Sequence, residues 1–149
     1  MIRSGTLRAL TALKNPATAQ AVLPLLQDPA LVVRLEAVAA VDKLRPVGAT
    51  EALLKTLEHD ANYHGGKAQW VPQKALIALS KLSSDTSGRR IASAALLAPR
   101  LKPLLDHHGD PELQKQTLVT LESLTGRSLK KGAPLAVRVR EWKLALNRK

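Results

Sequence analysis

The chain has 149 residues, 45% of them hydrophobic but only 2% aromatic and none of them Phe, so its core has to be built from Leu, Ala and Val. That mixture favours helices over sheets, and the length suffices to bury one domain core without staples. Cysteine is absent, which excludes a disulfide framework, a cysteine nucleophile and thiolate zinc sites.

The net charge of +11 is unevenly spread: residues 1–126 hold 15 Lys and Arg against 11 acidic residues, whereas residues 127–149 hold 8 against Glu141 alone. No run approaches the roughly 18 apolar residues of a membrane span. A soluble protein is expected, cytoplasmic, or periplasmic if a leader has been removed.

In chain order, the first predicted helix covers 2–13, with Ile2, Thr6, Ala9, Leu10 and Leu13 at offsets 0, 4, 7, 8 and 11, one face of a helix. Asn15-Pro16 ends it, and a helix over 17–26 follows, carrying Val22, Leu23 and Leu26. Asp28-Pro29 supplies a cap oxygen ahead of a first-turn proline, and the five-position template returns over 30–44 as Val33, Ala37, Ala40, Val41 and Leu44. After Arg45-Pro46 comes a helix over 49–57 with Leu53, Leu54 and Leu57. The polar, glycine-containing stretch 58–70 leads to a third template copy over 70–82: Val71, Ala75, Ala78, Leu79 and Leu82. A second polar connection, 83–92, precedes a helix over 91–105 with Leu101, Leu104 and Leu105; Pro24, Pro99 and Pro103 predict bent or broken helices there. Asp110-Pro111 opens the fourth copy over 111–124: Leu113, Thr117, Thr120, Leu121 and Leu124. Pro134 to Leu146 reads as a short amphipathic helix with Leu135, Val139, Trp142 and Leu146 on one face.

The copies begin 31, 38 and 42 residues apart, the spacing of stacked helical hairpins. Asp28-Pro29 followed by Val33-Arg34, Ala37, Ala40-Val41 and Leu44 resembles the HEAT-repeat signature, in particular the short bacterial variety of phycobilisome-lyase-like proteins. The likeness is strongest in that repeat, fair at Ile2-Arg3, and weaker later, where Pro72 and Gln114 replace the arginine. Thr125-Gly126-Arg127 followed by Trp142 is similar to the close of such arrays. The resemblance implies an all-α, right-handed α-solenoid of about three and a half antiparallel hairpins in a single domain, 1–149. It comprises a half-repeat at 1–14, hairpins at 16–44, 46–82 and 91–124, and a basic C-terminal cap at 127–149. It also implies a non-catalytic scaffold that binds a protein, with a structural Arg34 paired to an aspartate of a neighbouring turn, Asp28 or Asp60. An uncapped first helix leaves Ile2, Leu7, Leu10 and Leu13 partly exposed and suits a piece of a longer array.

Insertions in repeat proteins map to loops, often on a binding face. Partner-binding candidates are therefore Tyr63, His64 and Trp70 in the first long connection and Arg89 and Arg90 in the second. Trp70 can instead start its helix and pack inward. Lys130, Lys131, Arg138 and Arg140 in the basic segment suit an acidic protein surface or, as the alternative function, nucleic acid or another polyanion. Against nucleic acid, the solvent side of the template helices (Leu35, Ala39 and Asp42; Gln73, Ile77 and Ser80; Lys115, Val119 and Glu122) is mixed in sign rather than a line of cations with stacking aromatics. His59, His64, His107 and His108 lie in successive turns near Asp60, Asp106 and Asp110, but their spacing matches no tight ligand pair, so no metal is assigned. No phosphate-binding loop or nucleophile elbow is present, and neither a catalytic residue nor a cofactor is expected.

Overall fold

The computed structural model describes residues 9, 16–65, 67, 68, 70–82 and 98–147. Apart from Ala9, which is helical and exposed where the template places an inward residue, the 1–14 half-repeat lies outside the described residues, as does the whole 83–92 connection with Arg89 and Arg90.

Among the described residues the architecture is all-α apart from one short hairpin. The helices are α1 (Pro16–Val22), α2 (Leu31–Leu44), α3 (Ala49–Leu57), α4 (Trp70–Leu82), α5 (Pro111–Thr125) and α6 (Leu135–Asn147). The prolines act as their chemistry dictates. At Pro24 the chain tightens into a 3₁₀ segment, Leu23–Gln27, and Ala98–Asp106, which contains Pro103, is 3₁₀ throughout.

The template positions that repeat in the sequence largely become one packing face. α2 packs against α4 and α4 against α5; α3 packs against α4 and the 23–27 segment, and the 98–106 segment against α5 and α6. Template residues Val33, Ala37, Ala40 and Val41, then Val71, Ala75, Ala78 and Leu79, then Leu113, Thr117, Thr120, Leu121 and Leu124 are all buried. The hydroxyls of Thr117 and Thr120 are tolerated inside because each finds a backbone carbonyl, at Leu113 (2.7 Å) and Gln116 (3.0 Å). Val38, Leu76 and Leu118 hold one equivalent position in three helices and are 1%, 0% and 0% exposed. The facing row of Val22, Leu26, Leu53, Leu54, Leu57, Leu101, Leu104 and Leu105 closes the other side of the core. Val139 and Trp142 anchor α6.

Helix ends partly follow the expected chemistry. Asp110 caps α5, its Oδ1 accepting from the Leu113 amide at 3.1 Å with Pro111 in the first turn. The corresponding Asp28 does not cap α2. Its Oδ1 accepts from the Ala30 amide at 2.8 Å, and the helix starts at Leu31, because Asp28 turns the chain one step earlier. Gly126, at φ 72°, ends α5 with its amide on the Glu122 carbonyl, a left-handed conformation that a side chain disfavours.

The polar stretch expected to be a plain loop is folded. Asp60–Asn62 forms a 3₁₀ turn, and Tyr63–His64 pairs antiparallel with Lys67–Ala68, Tyr63 opposite Ala68 and His64 opposite Lys67.

Candidate interaction surfaces

Arg34 is 2% exposed and organises this folded turn. Its Nε donates to Asn62 Oδ1 at 2.8 Å, and its Nη1 to the carbonyls of Asp28 (2.7 Å) and Pro29 (2.9 Å). Asn62, itself buried, donates onward to the Thr56 carbonyl at 2.9 Å. The expected structural role therefore holds, with a correction of partner. The neighbouring turn supplies the Asn62 amide oxygen rather than the exposed Asp60 carboxylate, and the rest of the guanidinium meets carbonyls, an arrangement whose fork geometry suits arginine.

Tyr63 is used internally. Its hydroxyl donates to the Leu57 carbonyl, and its ring stacks on His107 with centroids 5.1 Å apart, which ties the 58–68 turn to the 106–110 turn. Burial, and then the nearby Asp60 and Glu58 charges, hold its hydroxyl well above the usual phenol range. His59 accepts the Ala61 amide on Nδ1 at 3.1 Å, a local cap. His64 is exposed at the tip of the hairpin. Trp70 does not pack inward; it is 66% exposed at the start of α4.

Trp70, Lys74, Ile77 and Lys81 fall on one face of α4, at offsets 0, 4, 7 and 11. Val32 on α2 stands at the position of Trp70, and Ala39 on α2 and Val119 on α5 at that of Ile77. Val32, Ile77 and Val119 are 45%, 38% and 50% exposed. Each residue named for the solvent side of α2, α4 and α5 is half-buried or exposed. Between α2 and α4 this face holds a shallow cleft of about 400 Å³ with Leu35, Ala39 and Ile77 among its walls and the Lys81–Asp42 ion pair, 2.9 Å, at one edge.

The basic segment divides. Arg138 pairs with Glu122, and Lys143 with Asp106, whose carboxyl the Lys143 hydrogen bond holds below the usual range. Lys130, Lys131 and Arg140 are exposed and make no ion pair among the described residues. Beside Arg140, α6 and the start of α5 enclose a half-open, mainly apolar cleft of about 600 Å³.

Arg100 was not singled out in the sequence. It bridges the 98–106 segment to α3 through Glu51 (2.7 Å) and Glu58 (2.8 Å), and these two hydrogen bonds push its ionisation further up. Asn62 and the α6 cleft were missed as well. Only the cleft left a signal, the second face Ala136, Arg140 and Leu144 at four-residue steps.

Comparison with protein-family models, curated proteins and solved structures finds no match. The geometry itself offers surfaces. Among the described residues no three His, Asp or Glu side chains gather as metal ligands, and no helix is long and apolar enough to cross a membrane.

Proposed function

We propose that this chain is a HEAT-type helical-repeat module that binds a protein partner and catalyses no reaction. In this reading α2, α4 and α5 are the successive second helices of a right-handed solenoid, α3 and the 3₁₀ segments its first helices, and α6 its cap. The observation that carries the binding role is the exposed aliphatic row Ala39, Ile77 and Val119, with Val32 and Trp70 beside it, repeated at matched positions on neighbouring helices. Exposed aromatic and aliphatic side chains set side by side are what interfaces use as anchors.

The test places a photo-crosslinking amino acid at Ile77 and irradiates the chain in extract of its source. A discrete protein adduct that disappears when Trp70→Ala is added supports the reading; absence of any adduct, or one indifferent to Trp70, overturns it.

A second reading rests on Lys130, Lys131 and Arg140, three exposed cations that make no ion pair among the described residues, and takes a polyanion as ligand. It predicts binding to random duplex that falls steeply with salt. The protein-binding surface predicts no duplex binding at all.

A further inference from the structure

A second cleft, of about 600 Å³, lies away from the Trp70 face. Its long wall is one face of α6, where Ala136, Arg140, Leu144 and Asn147 stand at offsets 0, 4, 8 and 11, and its opposite wall is Pro111 and Gln114 at the start of α5. Val139, 5% exposed, belongs to its floor, while Leu144 is 49% exposed. The wall extends over twelve residues, about 17 Å at the helical rise, or three turns.

A face with this spacing, small at one end and aliphatic at the other, is shaped for a second helix laid alongside at about 8–10 Å. The charge around it selects the partner. Lys143 is committed to Asp106, and Asp110 occupies the start of α5, but Arg140 stands on the cleft wall with no internal counter-charge among the described residues. His108 lines the same cleft. Glu112, the exposed carboxylate at the start of α5, is paired with Lys115 at 3.1 Å, so it does not cancel Arg140.

We infer that the α5–α6 cleft binds an amphipathic helix of about three turns, aliphatic on the face it buries and acidic along its edges. The inference rests on the reading of the chain as a protein-binding module, and assigns it a second contact site, distinct from the Trp70 face. Leucine side chains three and four residues apart on the partner lie over Leu144 and Val139, and a flanking carboxylate pairs with Arg140.

The test titrates the isotopically labelled full chain with a designed helix of about twelve residues, Leu at its i, i+3, i+7 and i+10 positions and Glu at its flanks, and follows the backbone amide resonances. Saturable shifts at Ala136, Arg140 and Leu144 are expected. Arg140→Glu should weaken binding at least tenfold and Leu144→Asp should abolish it; both residues are exposed, and circular dichroism verifies that the variants fold. A peptide with Lys in place of Glu should not bind. Sodium oleate, an anionic chain with no helix, serves as the competing occupant. The inference is overturned by no saturable shift with the Glu peptide, by equal binding of the Lys peptide, by Arg140→Glu binding as wild type, or by oleate filling the cleft while the peptide does not. Trp70→Ala should leave this titration unchanged, so failure here is separable from failure of the Ile77 crosslink.

Discussion

Replacing Arg34 by Ala is the sharpest perturbation of this fold, because one side chain holds the 28–30 turn, α2 and the 60–62 turn together. The substitution removes three hydrogen bonds of 2.7–2.9 Å from a charged donor. At about 1.5 kcal/mol each, the low end for charged donors, they total roughly 4.5 kcal/mol. Burying the guanidinium carries a desolvation cost that its removal returns, which brings the expected loss to about 3 kcal/mol. For a domain stable by about 5–15 kcal/mol this is a large fraction. With a urea m-value of about 2 kcal/mol/M, the unfolding midpoint should fall by about 1.5 M. Arg34→Lys keeps the charge but not the fork, and should recover less than half of the loss. Asn62→Ala alone should cost about 2 kcal/mol, and the double variant should show about 1–2 kcal/mol of coupling. Equilibrium urea unfolding followed by circular dichroism measures all four. A loss below about 1 kcal/mol for Arg34→Ala, or strict additivity with Asn62→Ala, would refute the view that this pair locks the turn.

The other predictions concern the core and two titrating contacts. Leu76, fully buried between α2 and α5, should cost about 2–5 kcal/mol as Leu76→Ala, and Leu76→Asp should leave the chain without a cooperative thermal transition. Tyr63 is the sole tyrosine and its ionisation is raised, so the stability it confers is present below its ordinary pKa of 10.0 and is lost as pH rises further. Its ultraviolet phenolate signal should therefore appear together with alkaline unfolding rather than near 10, and Tyr63→Phe should cost about 1 kcal/mol at neutral pH. The Lys143 bond lowers the Asp106 ionisation, so its contribution is present above the ordinary value of 3.8 and disappears as pH falls through the lowered one. Both partners are substantially exposed, so Lys143→Gln should cost no more than about 0.5 kcal/mol at neutral pH. That gap should close once the pH falls below the lowered Asp106 ionisation, as urea midpoints at neutral pH and in acid would show.

The inward faces were legible because a helix writes its burial pattern at fixed offsets, and the three described copies of the template pack as their spacing demands. Leu44 and Leu82, at the last template position, are only half-buried against the core, whereas Leu124 at the same position is buried. The prolines at 24, 99 and 103 were legible for the same local reason. What the sequence did not reveal depends on contacts between residues far apart. Asn62 looks like an ordinary turn residue until Arg34 reaches it across 28 positions. Tyr63 reads as a recognition aromatic, and its tie to the Leu57 carbonyl and to His107 becomes visible only when two turns are set side by side. Trp70 was open to either an inward or an outward role, because a tryptophan opening its helix is commonly buried even where its position lies outside the five-residue template. In the basic tail, composition counted charges but could not tell Arg138, neutralised by Glu122, from Arg140, which is free of such a partner among the described residues.

One template position is filled three ways, and the differences explain why the middle turn is ordered. Arg34 on α2 reaches forward to Asn62. Gln114 on α5, at the same position, reaches only the Leu105 carbonyl of its own preceding segment, at 2.7 Å. Pro72 on α4 has no donor to reach with. The start of α5 compensates through Asp110, whose Oδ2 accepts the Ala68 amide at 2.9 Å, so that the 58–68 turn is gripped by Arg34 from one side and by Asp110 from the other. A polar sequence with two glycines would otherwise have little reason to fold, since it buries few apolar side chains against its conformational entropy. Ala68 lies two residues before Trp70, so the Asp110 contact anchors the chain close to the start of α4. The presentation of Trp70 thus depends on the packed turns rather than on the loop alone, and under the proposed protein-binding reading Arg34→Ala, at a side chain only 2% exposed, should weaken the Ile77 crosslink.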